Sequence, residues 1–317
     1  MRSVILIICA LVGIGMYAQP KVSIAKYAGN KAASISLTFD DGTRDHFTHI
    51  TPQLNKYGLK GTFGINGNCI GDLDDGYAPR LSWDELREMD RQGHEINNHT
   101  WSHPNLYEHP EWTQVEFEKN DSAMIAELGH PAKSVLLPFN AYTTEVLSYC
   151  NSKYVGVRLS QFALGQHDSH ATKESIAKWL QEVVNGGEWG VTMTHGIFKT
   201  WDYWHEPEVL WDFFRTLSEM KDTIWVGTFG DVQAYIKERD AVSISTQCAD
   251  SAMSVKLCCP LPKHLFNYPL TLKIEDVPIS GNVFIKQDGN ELNYLVEEGA
   301  LIVDVNPHGS EIVVSWK

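Results

Sequence analysis

The chain has 317 residues, of which 43% are hydrophobic and 21% are charged, the composition of a globular protein. Its 26 basic and 40 acidic residues give a formal net charge of −14, which argues against nucleic acid, anionic membrane surfaces and strongly anionic polymers as partners. A chain of this length has room for two domains.

The N-terminus has the pattern of an export signal. Arg2 precedes an apolar run from Val4 to Met16, which predicts a secretory signal peptide over residues 1–18. The run is too short to cross a bilayer as a helix, and no other stretch of the sequence reaches the ~20 apolar residues that a membrane span needs. We therefore expect export to a periplasm or to the cell exterior.

The next feature is a buried strand that ends in two carboxylates. Residues 34–39, Ser-Ile-Ser-Leu-Thr-Phe, form the β-branched and apolar run of a buried strand. Asp40 and Asp41 follow it directly, before Gly42. Asp-Asp-Gly is also a common sequence of solvated turns, so the position at the end of a strand is what favours a functional site.

About sixty residues later, His99 and His103 place two imidazoles near one another. His94-Glu95 resembles the start of the zinc-protease helix motif, but His94 and His99 are five residues apart and cannot share one helical face. Pro104 favours a strand that runs into a loop, and a polar surface loop is the alternative interpretation.

Together the two stretches can hold one divalent metal and still provide a base. Asp41, His99 and His103 offer the carboxylate and imidazole ligands that suit a catalytic Zn²⁺ with one position open to water. Asp40 then remains unbound beside them. This division predicts a hydrolase in which the metal activates water and polarises a carbonyl while Asp40 takes the proton.

The pattern of secondary structure divides the chain near residue 240. Strand-like and helix-like segments alternate over residues 19–240, which predicts parallel strands with crossover helices in a (β/α) barrel. Residues 241–317 alternate with period two and contain a hairpin signal at Asp288-Gly289, which predicts a small antiparallel β-sandwich. A structural or docking role for this second domain is favoured over carbohydrate binding.

The motifs resemble those of the polysaccharide deacetylase family, which shares the NodB homology domain and is also called carbohydrate esterase family 4. The resemblance covers roughly residues 30–240 and depends on four stretches, which are residues 38–42, 93–103, 136–139 and 193–195. It implies a distorted (β/α)7 barrel.

The resemblance also implies a role for each matching residue. Asp40 would be the catalytic base, and Asp41, His99 and His103 would be the metal ligands. His195 would be the general acid that protonates the leaving group. The backbone N–H of Phe139 would help the metal to hold the oxyanion.

Two departures from the family pattern concern residues that orient the catalytic groups. Leu136 stands where the family usually has an arginine, so Asp40 is expected to be less strongly held in its ionised form. Arg158 or His167 could substitute from another loop. The family's fourth motif is not recognisable, and Asp168 is the candidate for orienting His195.

Aromatic side chains and cysteines complete the candidate residues. Trp201 and Trp204 could line a glycan cleft, although tryptophan is usually a packing residue. Without Cys9 of the signal peptide, five cysteines remain, and they are either buried free thiols or include a bridge from Cys248 to Cys258 or Cys259.

The sequence therefore predicts a secreted deacetylase that uses one divalent metal ion, Zn²⁺ above others, on an acetylated carbohydrate polymer or oligosaccharide. N-acetyl amino sugars are the favoured substrates, and O-acetyl xylan-type esters are the alternative. A glycan-binding protein with a decayed barrel is the alternative from another functional class, because Leu136 replaces the family arginine.

Overall fold

The computed structural model describes residues 20–71, 78–167, 169–198, 200–277 and 281–317. The predicted signal peptide and Asp168 lie outside these residues. None of the described helices is long and apolar enough to span a membrane.

Among the described residues, sixteen α-helices and β-strands make up the first part of the fold. In chain order they are β1 (Lys21–Ile24), β2 (Ala33–Phe39), α1 (Thr51–Lys56), β3 (Thr62–Ile65), α2 (Trp83–Arg91), β4 (Glu95–Asn98), α3 (Thr113–Leu128), β5 (Val135–Leu136), α4 (Thr144–Lys153), β6 (Val157–Arg158), β7 (Phe162–Ala163), α5 (Lys173–Gly186), β8 (Trp189–Thr194), α6 (Glu208–Glu219), β9 (Ile224–Val226) and α7 (Phe229–Ala241).

Eight of these strands form one curved, fully parallel sheet. Its order is β6-β5-β4-β3-β2-β8-β7, and β9 pairs with the start of β2. The central strand β2 is buried along its whole length, as its apolar sequence predicts, and the helices cover the outside of the sheet. Within the described part of the chain, β6 and β7 do not pair with each other, so the barrel is open between them. The predicted NodB-type barrel is confirmed.

Local sequence signals set the helix boundaries. The Ser82 hydroxyl accepts a hydrogen bond from Glu85 N, and the Glu85 carboxylate accepts one from Ser82 N, a capping box that starts α2. Thr228 caps α7 in the simpler way, through its hydroxyl and Asp231 N. At the other end of α3, Gly129 adopts a left-handed φ of 88° that ends the helix.

The C-terminal part consists of antiparallel strands, also as predicted. They are β10 (Ser243–Ala249), β11 (Ala252–Cys258), β12 (Leu270–Glu275), β13 (Val283–Gln287), β14 (Asn290–Glu291), β15 (Tyr294–Glu297), β16 (Ala300–Val305) and β17 (Ile312–Trp316). They form a four-stranded sheet of order β1-β12-β16-β15 and a five-stranded sheet of order β10-β11-β17-β13-β14. The predicted turn at Asp288-Gly289 joins β13 to β14, with left-handed φ values of 52° and 78° at its two central residues.

The two parts of the chain are connected by more than the peptide that follows α7. The strand β1 lies within the stretch assigned to the barrel domain but pairs with β12 of the C-terminal sheets. Tyr235 of α7 is fully buried in the core of those sheets, and its hydroxyl donates to Ala25 O at 2.7 Å. The division at residue 240 stays a prediction, and these contacts cross it.

The cysteines form no disulfide bond within the described part of the chain. In the β10–β11 pair, Cys248 lies opposite Met253 and Cys258 lies opposite Ser243. The two cysteines therefore stand near opposite ends of the ladder, and the bridge from Cys248 to Cys258 considered from sequence is wrong. Cys150 alone among the described cysteines is a fully buried thiol.

Candidate active site

Strand register brings the predicted site residues to one level of the parallel sheet. Phe39 pairs with Thr194, so Asp40 and His195, the residues that follow them, are neighbours at the carboxyl edge. His99 follows β4 at the same edge. Residues that are far apart in sequence meet here because parallel strands end on the same side of a sheet.

Asp41, His99 and His103 form a cluster suited to a metal ion. Their ligand atoms all lie within 4.8 Å of one another. The Nε2 atoms of His99 and His103 lie 3.3 and 3.4 Å from Asp41 Oδ1. These are the three ligands that the sequence predicts.

The hydrogen bonds of the cluster leave a place for a cation. His99 Nδ1 lies 2.6 Å from Leu136 O, and because a carbonyl only accepts, Nδ1 carries the proton and Nε2 presents a lone pair to Asp41. Asp41 Oδ1 is buried and has no hydrogen-bond partner among the described residues. A cation between these facing acceptors would satisfy both, so the residues fit the expected metal.

The protonation states also favour metal binding. Burial, together with the neighbouring His99, lowers the pKa of His103 to about 4, so its imidazole is neutral at pH 7. A neutral imidazole and an ionised carboxylate are the forms that bind metal.

Backbone strain is concentrated at this edge. Five non-glycine residues of the described chain adopt left-handed φ values there, namely Asp41 at 74°, Thr100 at 66°, His103 at 58°, Phe139 at 57° and Asn140 at 49°. Such conformations cost on the order of 1–3 kcal/mol each and persist where the surrounding structure enforces them, commonly at functional sites.

Asp40 is held by buried Arg158, one of the two residues that the sequence offers as a substitute for the family arginine. Arg158 Nη1 and Nη2 lie 2.8 and 2.5 Å from the two oxygens of Asp40, a bidentate ion pair between fully buried side chains. Burial would raise the pKa of Asp40, but Arg158, with help from His99, lowers it to about 2. The expectation that Asp40 would be less firmly ionised is therefore wrong.

Arg158 reaches Asp40 because of the register between two neighbouring strands. Leu136 of β5 pairs with Arg158 of β6, so the arginine stands one strand away from the expected position but at the same height. Leu136 takes part in the site through its backbone carbonyl, which lies against His99 Nδ1, and not through its side chain. His167, the other substitute considered, packs its ring 4.8 Å from that of Tyr203.

His195 has a carboxylate partner of its own. Its Nδ1 lies 2.7 Å from Oδ2 of the buried Asp202, and its Nε2 lies 3.9 Å from Asp41 Oδ2. Burial would lower the pKa of His195, but the hydrogen bond to Asp202 and the nearby carboxylates Asp41 and Asp40 raise it above its ordinary value. Asp202 therefore fixes the ring of His195, while Asp168, the sequence candidate for this contact, lies outside the described residues.

Side chains after the first motif support the His195 loop. The Thr43 hydroxyl donates to His195 O at 2.8 Å, and His46 Nε2 lies 2.9 Å from the same carbonyl. Asp45 Oδ2 accepts the backbone N–H groups of Ile197 and Phe198 at 2.9 and 2.8 Å. Sequence reasoning missed these residues, although all three lie within four positions of Gly42.

The site opens into a cavity of about 570 Å³ that is large enough for a sugar unit. Phe139 and Trp201 line this cavity and are 67% and 50% exposed. The Phe139 ring packs edge-on against the His103 ring, with 4.6 Å between the ring centroids. Trp204 does not line it. It is 2% exposed in the barrel core, so the prediction that it lines a cleft is wrong and its packing role prevails.

Comparison with known proteins shows which family the barrel resembles. The family model for polysaccharide deacetylases matches residues 28–158. Over this stretch the chain is similar to the polysaccharide deacetylase family. The matched stretch contains Asp40, Asp41, His99, His103 and Arg158 and ends before His195.

Two curated proteins and one solved structure illustrate the extent of the likeness. A chitin deacetylase from Arthroderma benhamiae is 28% identical over 173 residues, 53% of this chain and 44% of that protein. Gellan lyase from a Bacillus species is 22% identical over 293 residues, 79% of this chain but only 11% of that protein. A point mutant of the peptidoglycan deacetylase PdaC from Bacillus subtilis has the same fold, with a TM-score of 0.50, 20% identity, and coverage of 66% of this chain and 94% of that one.

The chain thus spans less than half the length of both curated relatives. The comparisons show the fold of the barrel and its similarity to polysaccharide deacetylases, and the activity of the whole protein is a matter for proposal.

Proposed function

We propose that this protein is an exported, Zn²⁺-dependent polysaccharide deacetylase that removes acetyl groups from N-acetylated carbohydrate. The observation that carries the proposal is the arrangement of Asp40, Asp41, His99, His103 and His195 around one cavity. Three of these side chains fit a metal ion, and the other two are a carboxylate and an imidazole in suitable protonation states.

A zinc ion held by Asp41, His99 and His103 would supply a Lewis acid for the acetyl carbonyl and lower the pKa of its water. The chain's own residues do the rest. Asp40 accepts the proton of the attacking water, and Arg158 keeps that carboxylate ionised and fixed in one orientation. Phe139 lines the cavity on a left-handed backbone, and its N–H would be the donor to the oxyanion.

His195 delivers a proton to the leaving group. Its raised pKa keeps a protonated fraction available near neutral pH, and Asp202 fixes the ring through Nδ1 so that Nε2 faces the site. Expelling an amine from a tetrahedral intermediate needs this proton more than expelling an alkoxide does. A well-supported acid therefore favours amide substrates, as does the similarity to a chitin deacetylase.

Two alternatives make different predictions. An O-acetyl xylan-type esterase would use the same groups with less dependence on His195. A glycan-binding protein with a decayed barrel was suggested by Leu136, but Arg158 restores the positive partner of Asp40, which supports catalysis.

The test is acetate release from matched N-acetyl and O-acetyl oligosaccharides. The purified chain is assayed as isolated, after chelation, and after addition of Zn²⁺. We expect activity that chelation removes and zinc restores, with a higher kcat/KM for the N-acetyl set. Preference for acetylated xylan would support the esterase alternative. Binding of oligosaccharide without acetate release would support the glycan-binding alternative.

A further inference from the structure

A second group of metal-binding side chains lies where α7 meets the C-terminal sheets. Glu238 lies in the last turn of α7, Cys259 follows β11, and His308 lies in the turn between β16 and β17. Their candidate ligand atoms all lie within 4.8 Å of one another. None of the three lines the cavity of the deacetylase site.

The buried carboxylate of Glu238 is incompletely hydrogen-bonded. Its side chain is 0% exposed, and Oε2 accepts a hydrogen bond from Tyr268 N at 3.1 Å. Oε1 is buried and has no hydrogen-bond partner among the described residues. Lys133 is the positive side chain near it, but that ammonium lies 2.5 Å from Asp231. Because a buried carboxylate oxygen is costly without a partner, the site calls for a cation.

His308 is oriented as a metal ligand. Its Nε2 lies 2.7 Å from Phe266 O, and since a carbonyl only accepts, Nε2 carries the proton and Nδ1 keeps its lone pair. Its backbone N–H donates to Asn306 Oδ1 at 2.9 Å, which fixes the turn. A hydrogen bond from the second ring nitrogen to a carbonyl is the usual support of a metal-bound histidine.

Cys259 supplies the ligand that selects the metal. It is half-buried and forms no disulfide within the described residues. A thiolate together with imidazole and carboxylate suits Zn²⁺, whereas Mg²⁺ and Ca²⁺ prefer oxygen ligands alone.

We propose that Glu238, Cys259 and His308 bind a second Zn²⁺ ion, with water as the fourth ligand. The ion connects the last helix of the barrel to two segments of the C-terminal sheets. Since the three ligands converge only in the folded chain, binding stabilises the contact between the two parts.

The experiment uses Co²⁺ and Zn²⁺ as probes, and the chain offers a matched control. Cys258 is adjacent to Cys259 but exposed on its strand and outside the cluster. With Co²⁺, wild type and Cys258→Ser should show a sulfur-to-cobalt charge-transfer band, which Cys259→Ser should lose.

Metal content gives a second readout that is independent of deacetylase activity. The double variant His99→Ala/His103→Ala removes ligands of the barrel site and should still bind one Zn²⁺ per chain after dialysis. Adding Cys259→Ser or His308→Ala to it should remove that ion.

The inference is overturned if the cobalt band is absent from reduced wild type or persists in Cys259→Ser, or if the double variant binds no zinc. If Cys259→Ser does not fold, Glu238→Gln decides the matter, because the amide keeps the size of the side chain and the acceptor for Tyr268 N. A folded Glu238→Gln chain should lose at least tenfold in zinc affinity, and unchanged affinity would contradict the site.

Discussion

Replacing Arg158 by methionine should destabilise the protein strongly, because it leaves the carboxylate of Asp40 buried without its positive partner. The guanidinium contacts both oxygens of Asp40 and also donates to Thr38 Oγ1 at 2.7 Å. Methionine matches much of the arginine stem but carries no charge. The loss of stability in Arg158→Met therefore measures mainly the removal of the ion pair.

Two arguments bound the size of the effect. The pKa of Asp40 is lowered from 3.8 to about 2, which at about 1.4 kcal/mol per pH unit corresponds to roughly 2 kcal/mol of stability at neutral pH. Removing one partner of a buried ion pair costs about 3–5 kcal/mol in measured cases. We expect a loss of roughly 2–5 kcal/mol in the free energy of unfolding.

The dependence on pH has a definite sign. Because the folded-state pKa of Asp40 is lowered, its contribution is fully present above pH 3.8 and is lost as the pH falls toward 2. The difference between wild type and Arg158→Met should therefore shrink over that range.

Urea unfolding of the chelated protein measures these differences. Leu136→Met on the neighbouring strand is the matched control, because it changes shape without removing charge and should cost under about 1.5 kcal/mol. A double-mutant cycle with Asp40→Asn isolates the pair. If the two single losses add to within about 0.5 kcal/mol, the two side chains are not coupled and the interpretation fails.

Three further predictions concern the acid and the cavity wall. Asp202→Asn should lower the pKa of His195, so the alkaline limb of the kcat/KM profile should move to lower pH while the acid limb stays; an unmoved alkaline limb would remove Asp202 from this role. His195→Ala should reduce amide hydrolysis far more than hydrolysis of an activated aryl acetate, and equal losses would argue against general-acid catalysis. Trp201→Ala should raise KM for oligosaccharides at nearly constant kcat and Tm, whereas Trp204→Ala should cost about 3–5 kcal/mol of stability; the opposite pattern would reverse their assignments.

Much of the barrel could be predicted because its strands are buried on both faces. The run at residues 34–39 contains only side chains that suit such a strand, and the polar residues at its end stand out. Asp40 and Asp41 were singled out as candidates for the same reason.

The orienting residues could not be placed, because they depend on tertiary geometry. Arg158 reaches Asp40 only through the register of β6 beside Leu136, and no local pattern reports register. Asp202 meets His195 because the loop after β8 folds back on itself, and Trp204 lies too close to Trp201 in sequence for their exposures to be distinguished.

Strands with little apolar periodicity were also missed. β10 is largely exposed and polar, and β1 has four residues. Each is defined by its pairing, β10 with β11 and β1 with β12, and not by its own sequence. Their existence follows from the fold and not from local propensity.

The adjacent aspartates provide the most direct test of the proposed mechanism. Zinc content and acetate release are measured together for Asp40→Asn and Asp41→Asn in a Cys259→Ser background, so that only the barrel site is counted. Asp40→Asn should keep its zinc and lose about 10²–10⁴-fold in turnover, whereas Asp41→Asn should lose both. Full turnover in Asp40→Asn, or undiminished zinc in Asp41→Asn, would contradict the assignment of base and ligand.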